Sequence, residues 1–214
     1  MTALRHLQLR LSGARERGSW AGCCALTFDD GPDPEFTPQV LATLRTLGVP
    51  ATFFVVGAKV ECHPELVRQM IAEGHAVGSH SQDHVNPRGA SVWRIAADYR
   101  AGRRTLERVV GTSVPLFRPP YGWLSPSTTC AIRAGGFDSW VWSVDADDWE
   151  PGATAEAIVA NSSRLRPGDV MLLHDGIEQS QAARDRSQTV AAIESIVDNG
   201  RRRGLGFVTL CESG

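Results

Sequence analysis

The sequence predicts a single-domain α/β fold built on parallel strands. Three observations carry this. Seven short β-rich runs alternate with six helical stretches along nearly the whole chain. The chain has 214 residues, 42% of them apolar, which suits one domain with a sizeable core. The residues that carry chemistry come directly after the apolar runs, where parallel α/β folds keep their sites. Periodicity alone does not separate an open sheet from a barrel. A closed eight-fold barrel usually needs about 250 residues.

The strands are read at 24–28, 52–56, 76–79, 116–118, 139–143, 170–174 and 206–210. Each is a short apolar run, mostly rich in β-branched or aromatic residues. The helices are read at 37–47, 64–72, 92–110, 126–134, 154–165 and 189–203. In the first, Val40, Leu41, Leu44 and Leu47 recur at helical spacing. The second opens on Pro64, which suits a first turn. The last ends in Arg201, Arg202 and Arg203, cations that offset the helix dipole. Residues 1–20 are read as an N-terminal extension and 21–214 as the domain. The polar segment 176–188 is longer than a usual connection, so it is a candidate substrate loop or lid. A plain solvated loop is the other reading.

Composition excludes several function classes. The net charge of −2 leaves no general nucleic-acid footprint. Lys59 is the only lysine, and it closes no phosphate-binding loop. A Schiff-base mechanism would have to use that one residue. The five cysteines, scattered and without a C-x-x-C pair, read as reduced, mostly buried thiols. No apolar run approaches the roughly 18 residues of a membrane helix. Leu4, Leu7, Leu9 and Leu11 are interrupted by polar residues, unlike a secretory leader. A cytoplasmic protein without a membrane partner is therefore expected.

The strand ends hold the candidate site. The first strand runs into Asp29-Asp30-Gly31-Pro32. Neighbouring side chains on a strand point to opposite faces, and a sharp turn here can bring both carboxylates to one cavity. The third strand ends in His80-Ser81-Gln82-Asp83-His84. Histidines four apart share one face of a helical turn and suit a single ion. One carboxylate with two imidazoles matches a catalytic zinc site with an open water position. The same set suits Fe(II). The fourth strand delivers Arg118-Pro119-Pro120-Tyr121-Gly122, and Arg118 can clamp a carboxylate. The two prolines lack backbone donors, which singles out the Tyr121 N–H. The fifth leads to Asp145, Asp147, Asp148 and Trp149; the sixth ends at His174.

Taken in order, TFDDGP, HSQDH, RPPYG, DDW and LLHD resemble the polysaccharide deacetylase family, the NodB-homology domain. The likeness runs from about Cys24 to Leu210 and includes VPATFFVVG. It implies a distorted (β/α) barrel with about seven parallel strands. It implies metal-dependent removal of N-acetyl groups from GlcNAc-containing sugars, with water on the metal as nucleophile. Residue by residue, Asp29 becomes the general base and Asp30, His80 and His84 the metal ligands. His174 becomes the general acid, Arg118 the partner of Asp29 and Asp148 that of His174, with Asp147 as fallback. The Tyr121 N–H becomes an oxyanion donor. Pro120, Tyr121, Trp149 and Leu172 become substrate contacts, the last two around the acetyl methyl. The ion implied is Zn²⁺, with Co²⁺ or another divalent cation as alternatives. The partner implied is an N-acetylated sugar. With Arg118 beside it, the Asp29 pKa is expected to stay low. The runner-up functions are an amidase on a non-sugar amide or imide and a non-catalytic carbohydrate-binding protein. In HSQDH, Val85 and Asn86 separate the second histidine from Pro87, a departure from the family pattern that alters the following loop but not the ligands.

Overall fold

A computed structural model describes residues 3–178 and 185–211. Its eight strands are β1 (Cys23–Asp29), β2 (Thr52–Val55), β3 (Ala76–Ser79), β4 (Leu116–Phe117), β5 (Asp138–Ser139), β6 (Val144–Asp145), β7 (Val170–His174) and β8 (Gly206–Phe207). All pair in parallel, in the order β5-β4-β3-β2-β1-β7-β6. β8 joins the start of β1. The sheet curls into an incomplete, distorted barrel whose two edges are β5 and β6.

Around it lie α1 (Ala3–Ser12), α2 (Thr37–Leu47), α3 (Gly57–Cys62), α4 (Pro64–Ala72), α5 (Val92–Val110), α6 (Pro126–Gly135), α7 (Ala155–Ser162) and α8 (Ser187–Arg202). Local chemistry bounds several of them. Ser91 caps α5 by accepting from the Arg94 N–H, and Gly111 ends it at φ 80. No helix among the described residues is long and apolar enough to cross a membrane.

The period of two along the strands builds the molecule. On β1, Cys24, Leu26 and Phe28 face the helix layer and join its main core. The alternate residues turn inward: Ala25 enters a separate cluster with Trp20, Phe54 and Trp140. Thr27 and Asp29 continue that inner row. β7 repeats the pattern, with Met171 and Leu173 in the outer core and Val170 in the inner cluster. Both strands are buried along nearly their whole length, as parallel strands covered on both faces are.

Three sequence expectations change. The predicted strand 139–143 is two short strands, β5 and β6. The chain crosses the barrel seam there: Trp140 N–H donates to Phe117 O, whereas Ser143 N–H donates to Val170 O. Arg15 fills the gap, accepting from Val141 N–H and stacking its guanidinium 4.0 Å from the Trp140 ring. Two helices, α1 and α3, were not anticipated. α1 has its leucines broken up by Arg, His and Gln, and α3 is too short to show a period. The thiols are unpaired, but only Cys24 is buried. Cys62, Cys130 and Cys211 are exposed, because α3, α6 and the chain after β8 turn those positions away from the core.

Candidate active site

Strand register sets the site. Asp29 is level with Phe54 on β2 and with His174 on β7. Ser79 is level with Val55 and Phe117, so His80 and Arg118 follow at the same height. Asp30 leaves β1 in a left-handed conformation, φ 69. That turn carries its carboxylate to the side of the sheet that Asp29 already faces. Ser81, His84, Tyr121 and Asp147 also have positive φ. Such backbone costs energy outside glycine and persists only where tertiary contacts over-determine it. All five belong to loops at the C-terminal strand ends.

Asp30, His80 and His84 present one ligand atom each to a common point. Asp30 Oδ1 lies 3.6 Å from His80 Nε2 and 3.3 Å from His84 Nε2. The two Nε2 atoms are 3.3 Å apart. Tetrahedral ligands about 2.0–2.2 Å from zinc lie roughly 3.3–3.6 Å from each other, so the triangle fits that ion. The ring chemistry agrees. His80 Nδ1 donates to Arg118 O at 2.8 Å, which directs the Nε2 lone pair to the common point. Burial, with the neighbouring His84 ring adding to it, pushes His80 down to about 3. A neutral imidazole is the ligand form.

Two buried ion pairs reach the same cavity as the triangle. Arg118 NH1 donates to Asp29 Oδ1 at 2.7 Å and to Thr27 Oγ1 at 2.8 Å. The guanidinium has no solvent exposure and stacks 4.2 Å from the Phe54 ring. Burial raises the Asp29 pKa even so, although Arg118 and then His174 oppose it. That corrects the low value expected from the sequence: removal of the carboxylate from water outweighs its partner. In the second pair, His174 Nδ1 donates to Asp148 Oδ1 at 2.7 Å, and the His174 main-chain N–H donates to Oδ2. Burial disfavours the His174 cation, but the charge and hydrogen bond of Asp148 prevail and lift it to about 9.

The cavity enclosed here has a volume of about 400 Å³. Asp29, Asp30, His80, His84, His174, Tyr121, Trp149 and Leu172 all line it, with Trp142 and Asp145. The Tyr121 ring lies 4.7 Å from the His84 ring. Pro120 is buried and does not line the cavity. The three neighbouring acids separate cleanly. Asp148 takes His174, Asp145 accepts from Trp142 Nε1, and Asp147 accepts from Asn161 Nδ2. Of the candidate lid 176–188, residues 179–184 lie outside the described residues.

Sequence reasoning missed the residues that support this set. Thr189 Oγ1 donates to Asp148 Oδ2 at 2.8 Å. Arg186, wholly buried, donates to the main-chain oxygens of Asp148 and Gly176. Asp175, equally buried, accepts from Thr37 Oγ1 and is pushed up to about 7 by that burial. None stands in a chemical pattern along the chain. The one available signal was the adjacency of Asp175 to His174.

Comparison with known proteins agrees with the geometry. Residues 19–140 match the family model described as polysaccharide deacetylase. A peptidoglycan-N-acetylglucosamine deacetylase of Bacillus cereus is 39% identical over 192 residues, covering 88% of this chain and 86% of that one. A chitooligosaccharide deacetylase of Sinorhizobium fredii is 38% identical over 207 residues, covering 88% and 90%. Among solved structures, a family 4 carbohydrate esterase from Streptomyces lividans, in complex with acetate, superposes with a TM-score of 0.78. It is 31% identical and covers 88% of this chain and 93% of its own.

Proposed function

The chain belongs to the polysaccharide deacetylase family, and from that premise we propose that it is a metal-dependent N-deacetylase of GlcNAc-containing glycans. One observation carries the proposal: a metal-sized triangle of ligand atoms shares one cavity with a carboxylate held by a buried arginine and a histidine held by a buried carboxylate. Amide hydrolysis needs those three functions together. They are an electrophilic centre, a base for water and an acid for the leaving amine.

Asp30, His80 and His84 would hold the cation. Zn²⁺ is the proposed ion, and Co²⁺ suits the same donors. When bound, such an ion polarises the amide carbonyl and lowers the pKa of water at the site. Asp29 takes the proton from the attacking water. Burial raises its pKa, which makes the carboxylate a stronger base than one in water. Arg118 holds the Asp29 carboxylate in place. His174, cationic beside Asp148, gives its proton to the departing amine. The Tyr121 N–H is the proposed donor to the developing oxyanion. Trp149 and Leu172 close around the acetyl methyl, and the partly exposed Trp149 ring offers a stacking face to the sugar.

The relatives act on peptidoglycan and chitooligosaccharides. Both contain N-acetylglucosamine, which is the substrate unit proposed here. The test is acetate release from chitooligosaccharides, peptidoglycan and UDP-GlcNAc, with zinc and after chelation. Zinc-dependent acetate from at least one of them is expected. Undiminished release by metal-stripped enzyme, or none from any substrate, overturns the reading.

A further inference from the structure

Lys59, the only lysine of the chain, takes no part in the chemistry above, yet its ammonium sits between two loops of the site. We propose that Lys59 is a positioning residue for the metal ligands, acting from α3 as a clamp. Lys59 Nζ donates to the main-chain oxygen of Asp30 at 2.5 Å and to that of Ile177 at 2.9 Å. The first bond holds the left-handed turn that aims the Asp30 carboxylate. The second ties that turn to the chain three residues beyond His174.

The start of α3 completes the arrangement. Val56 N–H donates to Gly31 O at 2.8 Å. Gly57 and Ala58 N–H donate to Ser81 O and Gln82 O at 2.9 and 2.8 Å. These carbonyls lie between His80 and His84. Four consecutive residues, 56–59, therefore bind the Asp30 turn, the histidine loop and the turn after β7. Gly57 is required by the close approach: a Cβ there would meet the Gln82 side chain and, at 3.1 Å, its Cα. The Ile177 arm also brings Glu178 Oε1 to 3.9 Å from His84 Nδ1, a buried atom with no hydrogen bond.

The inference rests on the metal site proposed above, so its test reads metal binding directly. Zinc affinity of the full chain is measured by competition with a chromogenic chelator, in wild type, Lys59→Met and Lys59→Arg. Lys59→Met keeps the aliphatic stem and loses the donors. It is expected to bind zinc about 10–100-fold more weakly, with KM at saturating zinc unchanged and part of the loss recovered in Lys59→Arg. Equal zinc affinity in folded Lys59→Met and wild type overturns the clamp. A second measurement needs no variant. Lys59 and the chain terminus are the only amines, so acylation of Lys59 is followed by mass spectrometry against the α-amine. Acylation requires the released amine, so its rate follows the population of the open clamp; that equilibrium is coupled reciprocally to zinc binding, and zinc is expected to slow Lys59 acylation at least tenfold. An unchanged rate with zinc bound overturns the clamp. A wild-type chain that binds no zinc refutes the proposed function instead.

Discussion

Asp29 and His174 are register partners on adjacent strands, facing one cavity at the same height. Each is held by a different counter-charge, Arg118 NH1 and Asp148 Oδ1, both at 2.7 Å. One backbone register thus places the proposed base and the proposed acid side by side in the cavity that holds the candidate ligand triangle. Asp148 lifts His174 against burial, whereas Arg118 only partly offsets the burial that raises Asp29.

Asp29→Asn removes the proposed base and keeps the shape. Acetate release is expected to fall about 10²–10⁴-fold, while one zinc per chain remains bound. Side-by-side assays of acetate and zinc stoichiometry check this. Loss of zinc in the variant would move Asp29 into the ligand set.

Asp30→Ala, His80→Ala and His84→Ala each delete a corner of the triangle. Zinc is expected to be lost from all three under conditions where wild type stays loaded, and turnover with it. Metal analysis after dialysis decides the matter, and full zinc content in all three would sink the site.

Asp148→Asn tests the acid through pH. The Asp148 charge is what lifts His174 to about 9 against burial. The proposed acid works in its protonated form, so activity is expected to fail as pH rises through that range. With the charge removed, burial prevails and the His174 pKa drops by about 1–3 units. The alkaline limb of the rate profile is then expected to shift to lower pH by that amount. An unmoved limb shows that another group sets it.

Arg118→Lys tests whether charge alone suffices. The guanidinium serves Asp29, Thr27 and the Val141 carbonyl at once and stacks on Phe54. An ammonium cannot span these partners. The buried Asp29 is left poorly paired, and loss of a buried partner costs about 3–5 kcal/mol. A clear fall in Tm is expected together with loss of activity. Wild-type melting would show that the fork is dispensable.

Gly176→Ala probes the close approach of two strand-end turns. A Cβ there would drive into the Asp30 main-chain carbonyl, the atom that Lys59 holds. Weaker zinc binding is expected in a chain that still folds, measured by chelator competition and circular dichroism. Unchanged affinity would show that the Asp30 turn yields freely.

Much of this protein is legible along the chain. Alternation of apolar runs with helical stretches determines a parallel α/β fold, because strands joined through crossover helices run parallel and are covered on both faces. The candidate site groups at Asp29, Asp30, His80, His84 and His174, which line one cavity, are legible too, since local spacing and strand ends mark them. Tertiary structure alone decided the rest. The pairing of Asp148 rather than Asp147 with His174 depends on a left-handed turn at Asp147. The rise in the Asp29 pKa depends on how completely water is excluded, which no run of residues encodes. The splitting of β5 from β6 depends on where the barrel fails to close. The support from Lys59, Thr189 and Arg186 joins residues far apart in sequence; those contacts exist only once the sheet has curled and brought its strand ends to one rim.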